Sequence, residues 1–179
     1  MPYFALTIIG RDRPGIVSQV TEILYQLGFN IADSSCSILG GQFSMILIIS
    51  SPDMQAGEDF SAAFAPLEDN NLSVFIRTLK PGGEIRPDLH GESCMISVYG
   101  SDKPGIVFQV AKELGDHGIN ITDLNTKLIG DEQNPVYVMM LEALLPEGIE
   151  LQELESWMKT LKQKLQVDIS VRSLVTMEL

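Results

Sequence analysis

With 179 residues, 45% of them apolar and 20% charged, the chain can build one ordinary core or two compact ones and is too weakly charged for a disordered polymer. Its 12 Lys and Arg face 24 Asp and Glu, a net charge of −12 with no cluster of cations, which argues against direct binding of a phosphate backbone. No basic leader opens the chain, and the longest uncharged apolar run, residues 43–49, is far short of the ~20 residues that span a bilayer, so a cytoplasmic protein with no membrane contact is expected.

Residues 3–9 (YFALTII) read as a strand largely covered on both faces and ending at Gly10. The loop Gly10-Arg11-Asp12-Arg13-Pro14-Gly15-Ile16-Val17 follows. A helix is predicted from Pro14, whose missing N–H suits a first helical position. Ile16, Val17, Val20, Ile23, Leu24 and Leu27 form its apolar stripe, and Gly28 ends it in the left-handed conformation. Residues 30–39 and 43–50 are two strands joined by a tight Gly40-Gly41 turn, and Ser51-Pro52-Asp53 breaks the hairpin. Phe60, Ala63, Phe64 and Leu67 mark a second helix whose last turn Pro66 bends or ends, and Leu72, Val74 and Ile76 alternate in a closing strand.

Residues 80–91 carry two prolines and no apolar period, and are read as a linker between domains at residues 1–79 and 92–179. The pattern then restarts. Gly100-Ser101-Asp102-Lys103-Pro104-Gly105-Ile106-Val107 repeats the loop ninety residues later, and Gly118-Ile119-Asn120-Ile121 repeats Gly28-Phe29-Asn30-Ile31. Between residues 10–33 and 100–123, 13 of 24 positions are identical without a gap. Strands at residues 93–99, 119–129 and 136–145, a helix over 104–117, a longer helix bearing Leu151, Leu154, Met158, Leu161 and Leu165, and a last strand with Val167, Ile169 and Val171 complete the second copy. The long helix has a heptad-like stripe, better read as the buried face of a sheet-covering helix than as a coiled coil, with Trp157 beside it. The predicted class is α+β, two ferredoxin-like βαββαβ domains in tandem.

The repeated loop sets a helix N-terminus at a strand end. There the N–H groups of Gly15, Ile16, Val17 and of Gly105, Ile106, Val107 lack helical partners and face the positive end of a dipole, a natural seat for a small carboxylate. Asp12 and Asp102 stand where a carboxylate accepts hydrogen bonds from an ammonium, and Asn30 and Asn120, from an adjacent module, offer an amide. Together these describe a receptor for an α-amino acid. Helix capping by the aspartates and turn duty for the asparagines are the competing readings. Cys36 and Cys94 form no CxxC pair and are expected to be buried thiols on strands; His90 and His117 are in no metal-ligand spacing and are expected at the surface. With no P-loop and no nucleophile elbow, neither an enzyme nor a cofactor is expected.

Asp-x-Pro-Gly-Ile-Val on a strand-to-helix turn, with Gly-x-Asn-Ile after the helix, resembles the ACT domain, an amino-acid-sensing module, and the resemblance covers nearly the whole chain as two modules. Two copies with nothing appended, and Asn-Ile-Ala-Asp-Ser-Ser ahead of Leu-Gly-Gly-Gln-Phe-Ser, resemble the glycine cleavage system transcriptional repressor family. That resemblance implies a glycine-responsive co-regulator that binds a DNA-binding activator instead of DNA, with ligand contacts at Asp12, Asn30, Asp102 and Asn120. Some related serine-binding modules carry a histidine where Gly10 and Gly100 stand here. The rival reading is a feedback subunit of an amino-acid-metabolic enzyme. In either case the ligand is a small amino acid, glycine or serine-like, and exposed sheet edges invite pairing of modules or of chains.

Overall fold

A computed structural model describes residues 2–52, 59–79, 91–131 and 135–174. The chain divides into two compact units, Met1–Pro87 and Asp88–Leu179. Most of the expected linker, with His90, lies outside the described residues, as do Asp53 and residues 132–134 of the second hairpin turn.

The first unit runs β1 (Tyr3–Arg11), α1 (Ile16–Gln26), β2 (Asn30–Leu39), β3 (Gln42–Ser50), a 3₁₀ turn (Ser61–Phe64), α2 (Ala65–Glu68) and β4 (Leu72–Thr78). Its sheet is antiparallel throughout in the order β2-β3-β1-β4. The second unit repeats this as β5 (Glu92–Gly100), α3 (Ile106–Asp116), β6 (Asn120–Ile129), β7 (Val136–Leu145), α4 (Leu151–Leu165) and β8 (Asp168–Ser173), in the order β6-β7-β5-β8. Both sheets have the βαββαβ topology expected from the repeat.

Burial alternates along the central strands because helices cover one face only. Phe4, Leu6 and Ile8 of β1 are fully buried under Ile16, Val20 and Leu24 of α1, while Tyr3, Ala5 and Thr7 on the other face are half-buried. β1 is therefore fully covered on one face and only partly on the other, where Ile9 is exposed. Its apolar run continues on the second face because Ala5 and Ile9 are apolar too, which hid the period of two.

The first helix begins at Ile16, two residues after Pro14, with Gly15 at its N-cap and φ 91°. A left-handed residue cannot be helical, so Pro14 and Gly15 form a turn that redirects the chain. Pro66 does not end its helix: it stands in the first turn of α2, which runs on to Glu68, and the 3₁₀ turn precedes it. Of the α4 stripe, Leu154, Met158 and Leu161 are buried in the second core, with Leu151, Trp157 and Leu165 packed against it. Trp157 also stacks on His117 at 3.6 Å between ring centroids and 5° between planes. Cys94 is buried as expected, but Cys36 is exposed, because β2 is an edge strand with every residue exposed.

Candidate functional site

In the first unit, pairing of Arg11 with Gln42 carries β1 to the level of the Gly40-Gly41 turn, and the Asp12 N–H donates to the Gly41 carbonyl at 2.9 Å. The loop is thus pinned to the hairpin. Gly15 then turns the chain into α1, its carbonyl accepting from the Gln19 N–H at 3.0 Å and from Ser18 Oγ at 2.9 Å. Arg13 Nη2 donates to Gln19 Oε1 at 2.8 Å, which turns the guanidinium along the helix. No side chain caps α1, so the N–H groups of its first turn stay available. The Asp12 carboxylate makes no side-chain hydrogen bond or ion pair among the described residues, which removes the capping reading.

These groups border an open groove of about 790 Å³ between the start of α1 and the hairpin, lined by Asp12, Gly15, Ile16 and Val17 on one side and by Cys36, Ser37, Ile38 and Phe43 on the other. The structure thus brings together the predicted acid and the predicted N–H groups. Phe43, Ser18 and Thr21 also line the groove and were not read from the sequence. Counting forward from the Gly40-Gly41 turn would have found Phe43, since that pairing puts it opposite Gly10.

The second unit repeats the geometry with different contacts. Gly105, at φ 94°, is the uncapped N-cap of α3, and its carbonyl accepts from the Gln109 N–H at 2.9 Å. Asp102 has no side-chain partner among the described residues. Lys103, unlike Arg13, reaches across to the end of α4, its Nζ donating to the Leu165 carbonyl at 3.3 Å and Gln166 Oε1 at 3.4 Å. Opposite Gly100, at the place of Phe43, stands Tyr137. Burial, then the charge of Asp102, pushes its phenol pKa up, so the hydroxyl keeps its proton at neutral pH. The Thr126 hydroxyl offsets a little of this from nearby, short of hydrogen-bond geometry, and the Tyr137 Oη has no hydrogen-bond partner among the described residues.

The asparagines lie elsewhere. Asn30 opens β2 opposite Ser50, which pairs with Tyr3, so it sits at the other end of the sheet from Asp12. Nine residues of strand at ~3.3 Å each put roughly 30 Å between those levels. Asn120 is placed likewise, opposite Leu144, which pairs with Ser93. Within one module, then, the amide and the loop do not meet. Among the described residues no three His, Cys, Asp or Glu side chains are grouped to hold a metal ion, and no helix is long and apolar enough to cross a membrane.

Comparison with known proteins bears on the pair of modules. Residues 3–70 and residues 95–153 each match a family model of the ACT domain. Over 171 residues, 94% of this chain and 88% of the relative, the sequence is 25% identical to the glycine cleavage system transcriptional repressor of Escherichia coli strain K12. It is 32% identical over 85 residues to a UPF0237 protein of Bifidobacterium longum, which covers 48% of this chain and 92% of that one. A crystal structure of an unknown protein from Galdieria sulphuraria superposes with a TM-score of 0.81 at 25% identity, covering 97% of this chain and 99% of the other.

Proposed function

The chain belongs to the ACT-domain family, and on that premise we propose that it is an amino-acid-responsive regulator whose ligand is a small amino acid, glycine or serine-like. The observation that carries this reading is the uncapped helix N-terminus beside an unpartnered carboxylate, present in both units. The ligand carboxylate sits on the N–H groups of Gly15, Ile16 and Val17, or of Gly105, Ile106 and Val107, and the ammonium on Asp12 or Asp102. Asn30 or Asn120 completes such a site only when it comes from another module, because within a module it is at the far end of the sheet. The wholly exposed edge strand β2 is a surface through which modules or chains can pair.

The similarity to the Escherichia coli repressor along nearly the whole chain supports a role in transcription. With a net charge of −12, contact with a DNA-binding activator fits better than contact with DNA. Ligand bound at the loop shifts the population able to grip that partner, by no more than its difference in affinity for the two states.

Titration calorimetry with glycine, serine and alanine is the test: heat from at least one is expected, and none at millimolar concentration defeats the sensor reading. Asp12→Ala and Asp102→Ala should each change stability by less than about 0.5 kcal/mol, since neither carboxylate is engaged. At least one should weaken binding, and unchanged affinity in both would take the ammonium contact away. Recovery of a metabolic enzyme instead of an activator as the bound partner would move the function to feedback control of that enzyme.

A further inference from the structure

If the loop binds an amino acid as proposed above, two of the three polar or variable substituents on its α-carbon are spoken for. The carboxylate takes the helix N-terminus and the ammonium takes the aspartate, which turns the side chain toward the remaining wall, the start of the third strand and its neighbour on the second. In the first unit that wall is Phe43 and Cys36, beside a Ser37 hydroxyl already hydrogen-bonded to Ser44 Oγ at 2.9 Å. In the second unit the same places hold Tyr137 and Thr126, opposite Gly100 and Met139 as Phe43 and Cys36 are opposite Gly10 and Met45.

Tyr137 is only 9% exposed, and its Oη has no hydrogen-bond partner among the described residues. An orphaned buried hydroxyl is a standing cost that an incoming acceptor removes. It packs at the edge of the second core and pairs across the sheet with Gly100, where the loop begins, close enough to Asp102 to feel its charge. A phenol that keeps its proton is a hydrogen-bond donor.

We propose that Tyr137 is the specificity-determining residue of the second module, donating to the side-chain oxygen of a serine-like amino acid, so that two modules with the same loop prefer different ligands. The first module, with a phenyl ring and a thiol at the wall, prefers a ligand with no polar side chain, glycine or alanine. Sealed from solvent, the Tyr137 oxygen is reached only when its surroundings yield to the ligand.

The test compares serine with alanine, which differ by the one hydroxyl, in calorimetric titrations of the full chain and of Tyr137→Phe. The variant should fold, since it deletes an unpartnered oxygen and little else. Its serine affinity should fall about ten-fold while its alanine affinity is unchanged, the usual effect of one lost hydrogen bond. If both amino acids bind the variant as they bind the unmodified chain, this inference is overturned and the amino-acid reading stands. If no amino acid binds the unmodified chain, both fall. Should Tyr137→Phe fail to give a cooperative melt, Phe43→Tyr carries the test: a gain in serine over alanine supports the assignment, and no gain overturns it.

Discussion

A side chain at Gly10 would put its Cβ 2.6 Å from the Asn71 carbonyl oxygen and 2.8 Å from Leu72 Cδ2, where β4 closes against the mouth of the loop. At Gly100 the nearest atom is Val167 Cγ1, at 2.7 Å. Both modules thus favour glycine where some related modules carry a histidine, and the reason is crowding from the neighbouring chain, a backbone carbonyl at Gly10 and a valine side chain at Gly100, whatever the ligand. Gly10→Ala should cost about 1–3 kcal/mol in denaturant melts, the scale of an overpacked site. Gly100→Ala should cost less, because a valine methyl yields more readily than a backbone carbonyl, and equal costs would show that the loop itself relaxes. The two thiols give a second residue-scale contrast. Cys36 is exposed, whereas burial and, less strongly, the charge of Glu92 push Cys94 from 9.0 up to about 11. A chromogenic disulfide should therefore titrate one thiol in the native chain and two in denaturant. Because folding raises this pKa, the stability it represents is whole below pH 9.0 and is lost as pH climbs through about 11. A Cys94→Ala variant should lose less stability than the unmodified chain over that interval, and identical alkaline limbs would remove the effect.

At the scale of elements, hydrophobic period and turn chemistry were enough where one face is buried and the punctuation is strong. The boundaries of β2, β7 and α4 follow from Asn30 after Gly28, Val136 after Pro135, and the leucine stripe ending at Leu165. Errors fell where one residue has two local readings. Pro14 satisfies the rule for a helix start, yet the left-handed Gly15 after it defers the helix to Ile16. That displacement matters for the site, because it leaves the first turn with neither a proline nor a capping side chain. Asp12 and Asp102 could be named from sequence as acids beside a helix, but whether they cap it depends on a turn geometry that only the folded backbone displays. Phe43 and Tyr137 were harder to read for another reason: each looks like an ordinary apolar residue at the start of a strand, and only the register of that strand carries it to the wall of the loop. The distance from Asn30 to Asp12 was legible in principle, since a strand that follows an antiparallel helix starts at the end of the sheet where the first strand began.

For the molecule as a whole, the duplication gives two cores. One gathers Phe4, Leu6, Ile8, Val20, Leu24 and Leu47; the other gathers Ile96, Val98, Val110, Leu114, Met139 and Leu141. Each is drawn from a single unit, so a cavity cut in one should not be felt as lost packing in the other. Leu24 is 1% exposed, and Leu24→Ala should destabilise the first unit by about 2–5 kcal/mol, the lost transfer energy plus the void it leaves. Amide hydrogen exchange separates the units where a single melting curve would blend them. Protection should fall along β1, α1 and β3 and stay at its original level along β5, α3 and β7; Leu114→Ala should give the mirror image. A fall in both units from either substitution would mean that they unfold as one cooperative body. In that event ligand bound at one loop would stabilise the other module directly, and the preferences assigned to Phe43 and Tyr137 would have to be measured as coupled affinities and not as two independent ones.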